Sequence, residues 1–382
     1  MNRTIIDIHA LQTVPPSNVN RDDTGSPKTA LYGGTTRARV SSQAWKRATR
    51  KAFEGLLQPH ELGIRTKRVV DLIAEAITEA APDLGETSVK LAEGVVKAAG
   101  ITVEKPKARP KKDADAEVEV EENPQVAYLL FLSRRQIANL ADMAIHAERT
   151  GEPLDKTTVR KAADSEHSVD LALFGRMVAD AADLNVDAAA QVAHAISVHA
   201  VDNDYDYFTA VDDRAPEDNA GAGMIGTVEF NSSTLYRYAT VDANALNANL
   251  GTAESTAHAV AAFIRAFVTS MPTGKQNTFA NRTLPDAVVV SVRDTQPVNL
   301  VGAFGDAVVA SDGSARLEQA SERLADYSAE IDKAYAQKAV ASFVLRVGKQ
   351  TQPLEALGKS VDIDTLVSSV EGLVADRLGS PA

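Results

Sequence analysis

Residues 3–51 read RTIIDIHALQTVPPSNVNRDDTGSPKTALYGGTTRARVSSQAWKRATRK, and most of the fold can be argued outward from them. The Ile-rich start, RTIIDIHALQ (3–12), is bounded by Pro15-Pro16 and predicts a strand. Thr13–Val40 reads as a long polar loop carrying Asn18, Asn20, Gly25, Pro27 and Gly33-Gly34, a length that marks a functional or disordered segment. Ser41 and Ser42 offer an N-cap for a helix reaching about Leu57. Trp45, Ala48, Ala52 and Leu56 recur at helical spacing as its apolar stripe.

The same stretch concentrates charge. Residues 1–51 carry nine Lys and Arg against three acids, +6 net, in a chain whose total is −12 over 382 residues. In Arg37-x-Arg39-Val-Ser-Ser-Gln-Ala-Trp-Lys46-Arg47-x-x-Arg50-Lys51, the pairs Lys46/Arg50 and Arg47/Lys51 are four apart. Like charges at that spacing cost a helix about 0.2–0.5 kcal/mol per pair. A polyanion would relieve that repulsion, and free N–H groups at the helix start favour phosphate oxygens. An acidic surface of the same chain would relieve it equally well. Charge reach is confined to about 10 Å at ordinary salt, so a basic edge on an acidic body can still grip a polyanion.

Composition narrows the rest. With no cysteine there is no disulfide framework, no Cys-type zinc site and no thiol nucleophile. The amino end lacks the apolar core of a signal peptide, and no run approaches the ~18 apolar residues of a membrane span. These features predict a soluble, cytoplasmic protein without membrane partners.

Further along, two amphipathic helices are expected in 67–99, split by Pro82–Glu86. EKPKARPKKDADAEVEVEE (104–122) is a charge block too poor in apolar groups to order itself. VAYLLFL (126–132) is a buried strand or helix, and helices are expected from Ser133 to about Val198. YDYFTAVDD (205–213) and TVEFNSSTLYRYATV (227–241) read as β-structure. Glu254–Met271 reads as a helix, Ala287–Val292 and Val340–Val347 as strands, and the C-terminal thirty-odd residues as helical. The fold class is α+β, with outer parts able to close as a ferredoxin-like split βαβ sheet around a helical insertion.

Few motifs carry chemistry. Asp202-x-Asp204-x-Asp206 with Asp213 imitates a calcium loop, but Tyr207 stands where that loop needs Gly. The better reading is a hairpin with an aromatic pair, Tyr207 and Phe208, and Val211 beyond. Such aromatics stack on bases when exposed or fill a core when not. Gly274-Lys275-Gln276 fails the P-loop pattern at Thr269 and Gln276. The seven His residues include no HExxH, and His258 in its apolar helix reads as a core residue. No metal site, cofactor site or assembled catalytic site is expected.

PSNVNRDDTGSPKTALYGGTTRARVSSQAWKRATRK (16–51), FGRMVAD (174–180), AHAISVHAVDNDYDYFTAVDD (193–213), EFNSSTLYRYA (229–239) and PTGKQNTFA (272–280) together resemble the CasC-type backbone subunit of the type I-E CRISPR Cascade surveillance complex. The resemblance implies an RRM-like palm (1–58 and 227–382, with C-terminal helices), helical fingers (59–197) and a β-hairpin thumb (198–226); the charge block 104–122 inside the fingers has no counterpart in it and is expected to be disordered from its composition. It implies a non-catalytic subunit that polymerises along crRNA with other copies of itself and other Cascade subunits, and presents the crRNA to target DNA. By motif, Arg21, Gln43, Lys46 and Arg50 would hold guide phosphates, with Lys28, Arg39 and Lys275 nearby. Met177 would wedge against bases, and Tyr207, Phe208 and Val211 would meet a displaced nucleotide. Relatives are often basic after Tyr32-Gly33-Gly34, where this chain has Thr35 and Thr36. Two other functions fit the residues alone. One is a metal-dependent ribonuclease using Asp204, Asp206 or Asp213 on target RNA; the other is an acidic interaction protein without RNA.

Overall fold

The structure, a computed structural model, describes residues 3–106, 122–210, 224–310 and 315–379. The chain forms two compact units, one from Met1–Leu56, Ala190–Asn244 and Ala253–Ala382, the other from Leu57–Ala189 and Ala245–Thr252.

The first unit is built on strand β1 (Ile5–Ser17). Its neighbours run antiparallel on both sides, Ile8 opposing Ala239 of the long strand Met224–Asp242 and Val290 of the strand Ala287–Arg293. Both faces of β1 are covered, which is why it reads as a nearly unbroken apolar run. The full sheet has the order Lys359–Ser360, Ala341–Arg346, Ala287–Arg293, β1, Met224–Asp242, Ala195–Ser197, then β3 (Thr35–Val40) and β2 (Thr29–Tyr32). Ala190–Val192 and Asp204–Ala210 also pair with the long strand. On one face, Leu11, Tyr236, Tyr238 and Val289 pack with Leu300, Phe304 and Leu324. On the other lie helix α1 (Ser42–Ala52) and the helix Ala253–Thr269, with Trp45 and Phe267 rings 6.5 Å apart.

The segment 13–40 is not the continuous loop its composition suggested. β2 and β3 form a hairpin on Gly33-Gly34, at φ +58° and +75°, a turn that needs left-handed backbone at both positions. A Cβ on Gly33 would sit 1.5 Å from the Gly305 carbonyl oxygen, so no other residue fits. Arg37 leaves the basic cluster altogether. It is fully buried, donating to Thr35 Oγ1 (2.8 Å) and to the carbonyls of Ser197 (2.9 Å) and Phe304 (3.0 Å).

In the second unit, helices Val69–Ala80, Ser88–Ala98 and Arg134–Thr150 bury Val70, Ile73, Ile77, Val95 and Leu140. Ser133 and Gln136 form a reciprocal capping box at the start of the third. The helical run expected over 59–197 stops earlier, because Ala190–Val192 and Ala195–Ser197 are strands of the large sheet. Within 104–122, Glu104 pairs with Gln125 in a short ladder, and 107–121 lie outside the described residues. No helix among the described residues is long and apolar enough to cross a membrane.

Two buried histidines give the fold a pH dependence. His9 Nδ1 lies 2.9 Å from the Tyr236 hydroxyl, and burial pulls its pKa down to about 3. His199 accepts from the Thr234 N–H (3.1 Å) and is held at about 4, again mainly by burial. The unfolded chain takes up these protons below about 6.5 while the folded chain does not. Stability is therefore complete above that pH and falls on acidification, by about 2 kcal/mol at pH 5 for His9 and by a similar amount for the nearly buried His199. Thermal unfolding at pH 7.5 and pH 5 checks this; a midpoint that holds steady refutes it.

Candidate nucleic-acid interface

α1 presents its charges because of how it is anchored. Ser41 caps it through the Ala44 N–H, and Trp45, Thr49 and Phe53 form its buried side. The expected stripe is thus displaced: Leu56 is exposed, beyond a 3-10 turn that ends the helix. At 100° per residue, Gln43, Lys46, Arg47, Arg50 and Lys51 share an outward arc of about 140°. The N–H groups at the helix start are largely taken, Ser42 donating to His194 Nδ1 (3.0 Å) and Ala44 and Trp45 to the Ser41 carbonyl. Anion binding at this end therefore falls to side chains, not to the open N-terminus expected from the sequence.

Beside α1 lies a cavity of about 840 Å³. Its walls are the loop Val19–Gly25, the α1 residues Ala44, Arg47, Ala48, Lys51 and Ala52, the segment Ser270–Gly274, and Arg282. Four cations, Arg21, Arg47, Lys51 and Arg282, face it against two acids, Asp22 and Asp23. Asp22 is turned onto its own loop, accepting from the Thr24 hydroxyl (2.7 Å), the Thr24 N–H (2.9 Å) and the Ser26 N–H (3.0 Å). Those bonds, the Thr24 hydroxyl first, hold its carboxyl below the usual range and keep it ionised but locally occupied. Among the described residues, Arg21, Lys46, Arg47 and Lys51 make no ion pair.

The loop is rigidly seated. Asn20 Oδ1 accepts from the Ser41 N–H (2.9 Å), and Asn18 donates to the Gly25 and Glu229 carbonyls (2.9 Å each). Gly274 packs against it so closely that a Cβ would lie 2.0 Å from the Val19 oxygen. Lys275, next in the chain, adopts left-handed backbone at φ +44° and opens the short turn Gln276–Phe279.

The cavity thus joins Arg21 to Arg47 and Lys51, whereas Gln43, Lys46 and Arg50, expected to hold phosphates, share the outward arc of α1 but are not among the residues lining it. Lys28 and Arg39 are joined through Arg39 N–H to the Lys28 carbonyl (2.8 Å), and Arg39 Nε also donates to the Thr29 carbonyl (3.1 Å). Arg282 was not anticipated: it is an isolated cation far along the chain, brought in only by tertiary structure. Met177 belongs to the second unit and is 82% exposed, next to Arg176, whose guanidinium is buried on Leu184, Ala163 and Asp164.

The hairpin corrects the aromatic pair. Adjacent strand residues point to opposite faces, so Tyr207 shares its face with Tyr205, at 64% and 68% exposure. Phe208 points the other way and lies across Gly226, whose Cβ would meet its ring at 2.5 Å. Asp204 and Asp206 are on the Phe208 side, and among the described residues no three His, Cys, Asp or Glu side chains gather as a metal site. Val211 and Asp213 lie outside the described residues. His258 is half exposed, 3.8 Å from Glu371, and not a core residue.

The family model described as CT1975-like protein matches residues 6–369. A chain of a structure titled "CRISPR RNA-guided surveillance complex, pre-nicking" is 36% identical, with a TM-score of 0.81 over 96% of this chain and all of that one. A second, from a "CRISPR RNA-guided surveillance complex", is 30% identical with a TM-score of 0.68, covering 96% of this chain and 99% of its own. Comparison with curated proteins gave no match. With the family pattern running through both compact units and the fold shared end to end, the chain belongs to the CT1975-like protein family.

Proposed function

We propose that this protein is a non-catalytic backbone subunit of a type I-E-like Cascade. It grips crRNA by its sugar-phosphate chain, lines up with copies of itself and other Cascade subunits in a helical filament, and exposes the bases to target DNA in the cytoplasm. The observation that carries the reading is the cavity beside α1, where four cations face two acids and one of those acids is occupied by its own loop. The two similar structures, both from complexes described as RNA-guided, point the same way.

The topology supports a palm. Ala287–Arg293, β1, Met224–Asp242 and Ala195–Ser197 are antiparallel neighbours, and α1 and Ala253–Thr269 follow β1 and the long strand. A strand–helix–strand–strand–helix–strand order of this kind supports the reading as a split βαβ, RRM-like palm. The helical unit serves as fingers and the Asp204–Ala210 hairpin as thumb, its Tyr205 and Tyr207 available for stacking at about 1–3 kcal/mol per base.

One subunit neutralising about four phosphates gives a log K that falls by about 3 per tenfold rise in salt. Alone it binds weakly at cellular salt, and neighbours on a shared strand supply the rest by effective concentration. Titration with single-stranded RNA of increasing length is expected to show steep, sequence-tolerant strengthening. Equal affinity for short and long strands contradicts the filament. Magnesium and complementary RNA added to the assembly leave the RNA intact on this reading, whereas cutting that is lost on Asp206→Ala favours the ribonuclease.

A further inference from the structure

Arg237, on the long strand Met224–Asp242, packs against Trp45 on the buried side of α1 and is 1% exposed. Its guanidinium carbon sits 3.7 Å from the Trp45 ring centroid and 4.5 Å from that of Phe267. It donates to Gln12 Oε1 (2.6 Å) and to the Phe267 carbonyl, and among the described residues it has no carboxylate partner. Its pKa is drawn down to about 9 by burial alone. A buried, unneutralised cation is a costly thing to keep.

Its direct contacts, Trp45, Phe267 and Gln12, do not line the cavity themselves but belong to or adjoin the elements that do. Trp45 is the buried side of α1, whose outer side carries Arg47 and Lys51. The Phe267 carbonyl is in the last turn before Ser270–Gly274. Gln12, on β1, passes the connection on: its amide donates to the carbonyl of Thr283 (2.9 Å), next in the chain to Arg282, and lies 3.8 Å from the Sδ of Met271, a lining residue of the cavity.

Resting on the cavity reading above, we propose that Arg237 is a positioning residue for the anion cavity, setting the spacing of α1 and the Ser270–Arg282 segment without touching RNA. A planar cation suits this task because it stacks on two rings while directing N–H groups at two acceptors in one plane. A lysine keeps the charge and loses that geometry.

The test uses the full chain, a labelled oligouridylate, and binding measured over a range of salt. Arg237→Lys is expected to weaken binding about tenfold at each salt with an unchanged salt slope, since no phosphate contact is removed. Trp45 is the only tryptophan, so its emission should shift in the variant and report the lost stack. Lys51→Ala, in contrast, lowers the slope by about 0.7. Should Arg237→Lys fail to fold, Gln12→Met cuts the connection to Thr283 while leaving the stack, and is expected to weaken binding with the slope again unchanged. Wild-type affinity in a folded Arg237→Lys or Gln12→Met, or a slope reduced as in Lys51→Ala, overturns the positioning role while leaving the cavity reading intact. Binding indifferent to Lys51→Ala and Arg47→Ala as well removes the cavity reading, and this proposal with it.

Discussion

Replacing Arg21, Arg47 and Lys51 together with alanine lowers affinity for single-stranded RNA by about 50-fold at about 0.15 M salt. Each phosphate contact on a single strand contributes about 0.7 to the salt slope, and this counterion-release part of the affinity vanishes towards 1 M. Three contacts then account for a slope of about 2, or nearly two decades in K at physiological salt. All three side chains line the cavity, and among the described residues none is paired, so their removal disturbs no ion pair of the fold. The loss should be uniform across RNA sequences. Binding isotherms at several salt concentrations check both numbers; a triple variant with the wild-type slope contradicts the contact assignment.

The second large effect is on stability. Asp7, fully buried on β1, faces Arg293, whose side chain is also almost wholly buried, at 3.1 Å. Asp7 also accepts from the Tyr238 hydroxyl (2.7 Å) and the Val298 N–H (3.0 Å). Burial pushes its carboxyl up, and those hydrogen bonds and Arg293 pull against it. Asp7→Ala strands the Arg293 charge with only the more exposed Asp332, at 3.1 Å, and the Gln337 carbonyl. The expected cost is about 3–5 kcal/mol by denaturant unfolding. Removing both charges together, as Asp7→Leu with Arg293→Met, should cost much less than the sum of the single changes, because no buried charge is left alone.

Some of this was legible from the residues and some could not be. The Ile-rich strand, the Ser41 cap and the helices either side of Pro82 follow from local rules, and the chain obeys them. The Gly33-Gly34 hairpin was also readable, since two adjacent glycines between Thr- and Tyr-bearing segments mark such a turn; composition as a loop obscured it. Strand alternation alone would have separated Phe208 from Tyr207 and paired Tyr207 with Tyr205.

Arg37 is different. Nothing in a run of Arg and Lys distinguishes the one that is buried on three oxygen acceptors from those that reach solvent. Which edge of the α1 arc borders the cavity depends on where Ser270–Gly274 docks, and so favours Arg47 and Lys51 for a reason no helical wheel contains. Arg282 and Arg237 join the site through contacts spanning more than two hundred residues from β1 or nearly as many from α1, and only the packed sheet brings them in.

The most direct measurement is the structure of this chain assembled on a single-stranded RNA. Phosphate oxygens are expected within hydrogen-bonding distance of Arg47 and Lys51 in the cavity beside α1, in every copy along the strand. An RNA that tracks another surface, with that cavity filled by protein or left to solvent, contradicts this expectation.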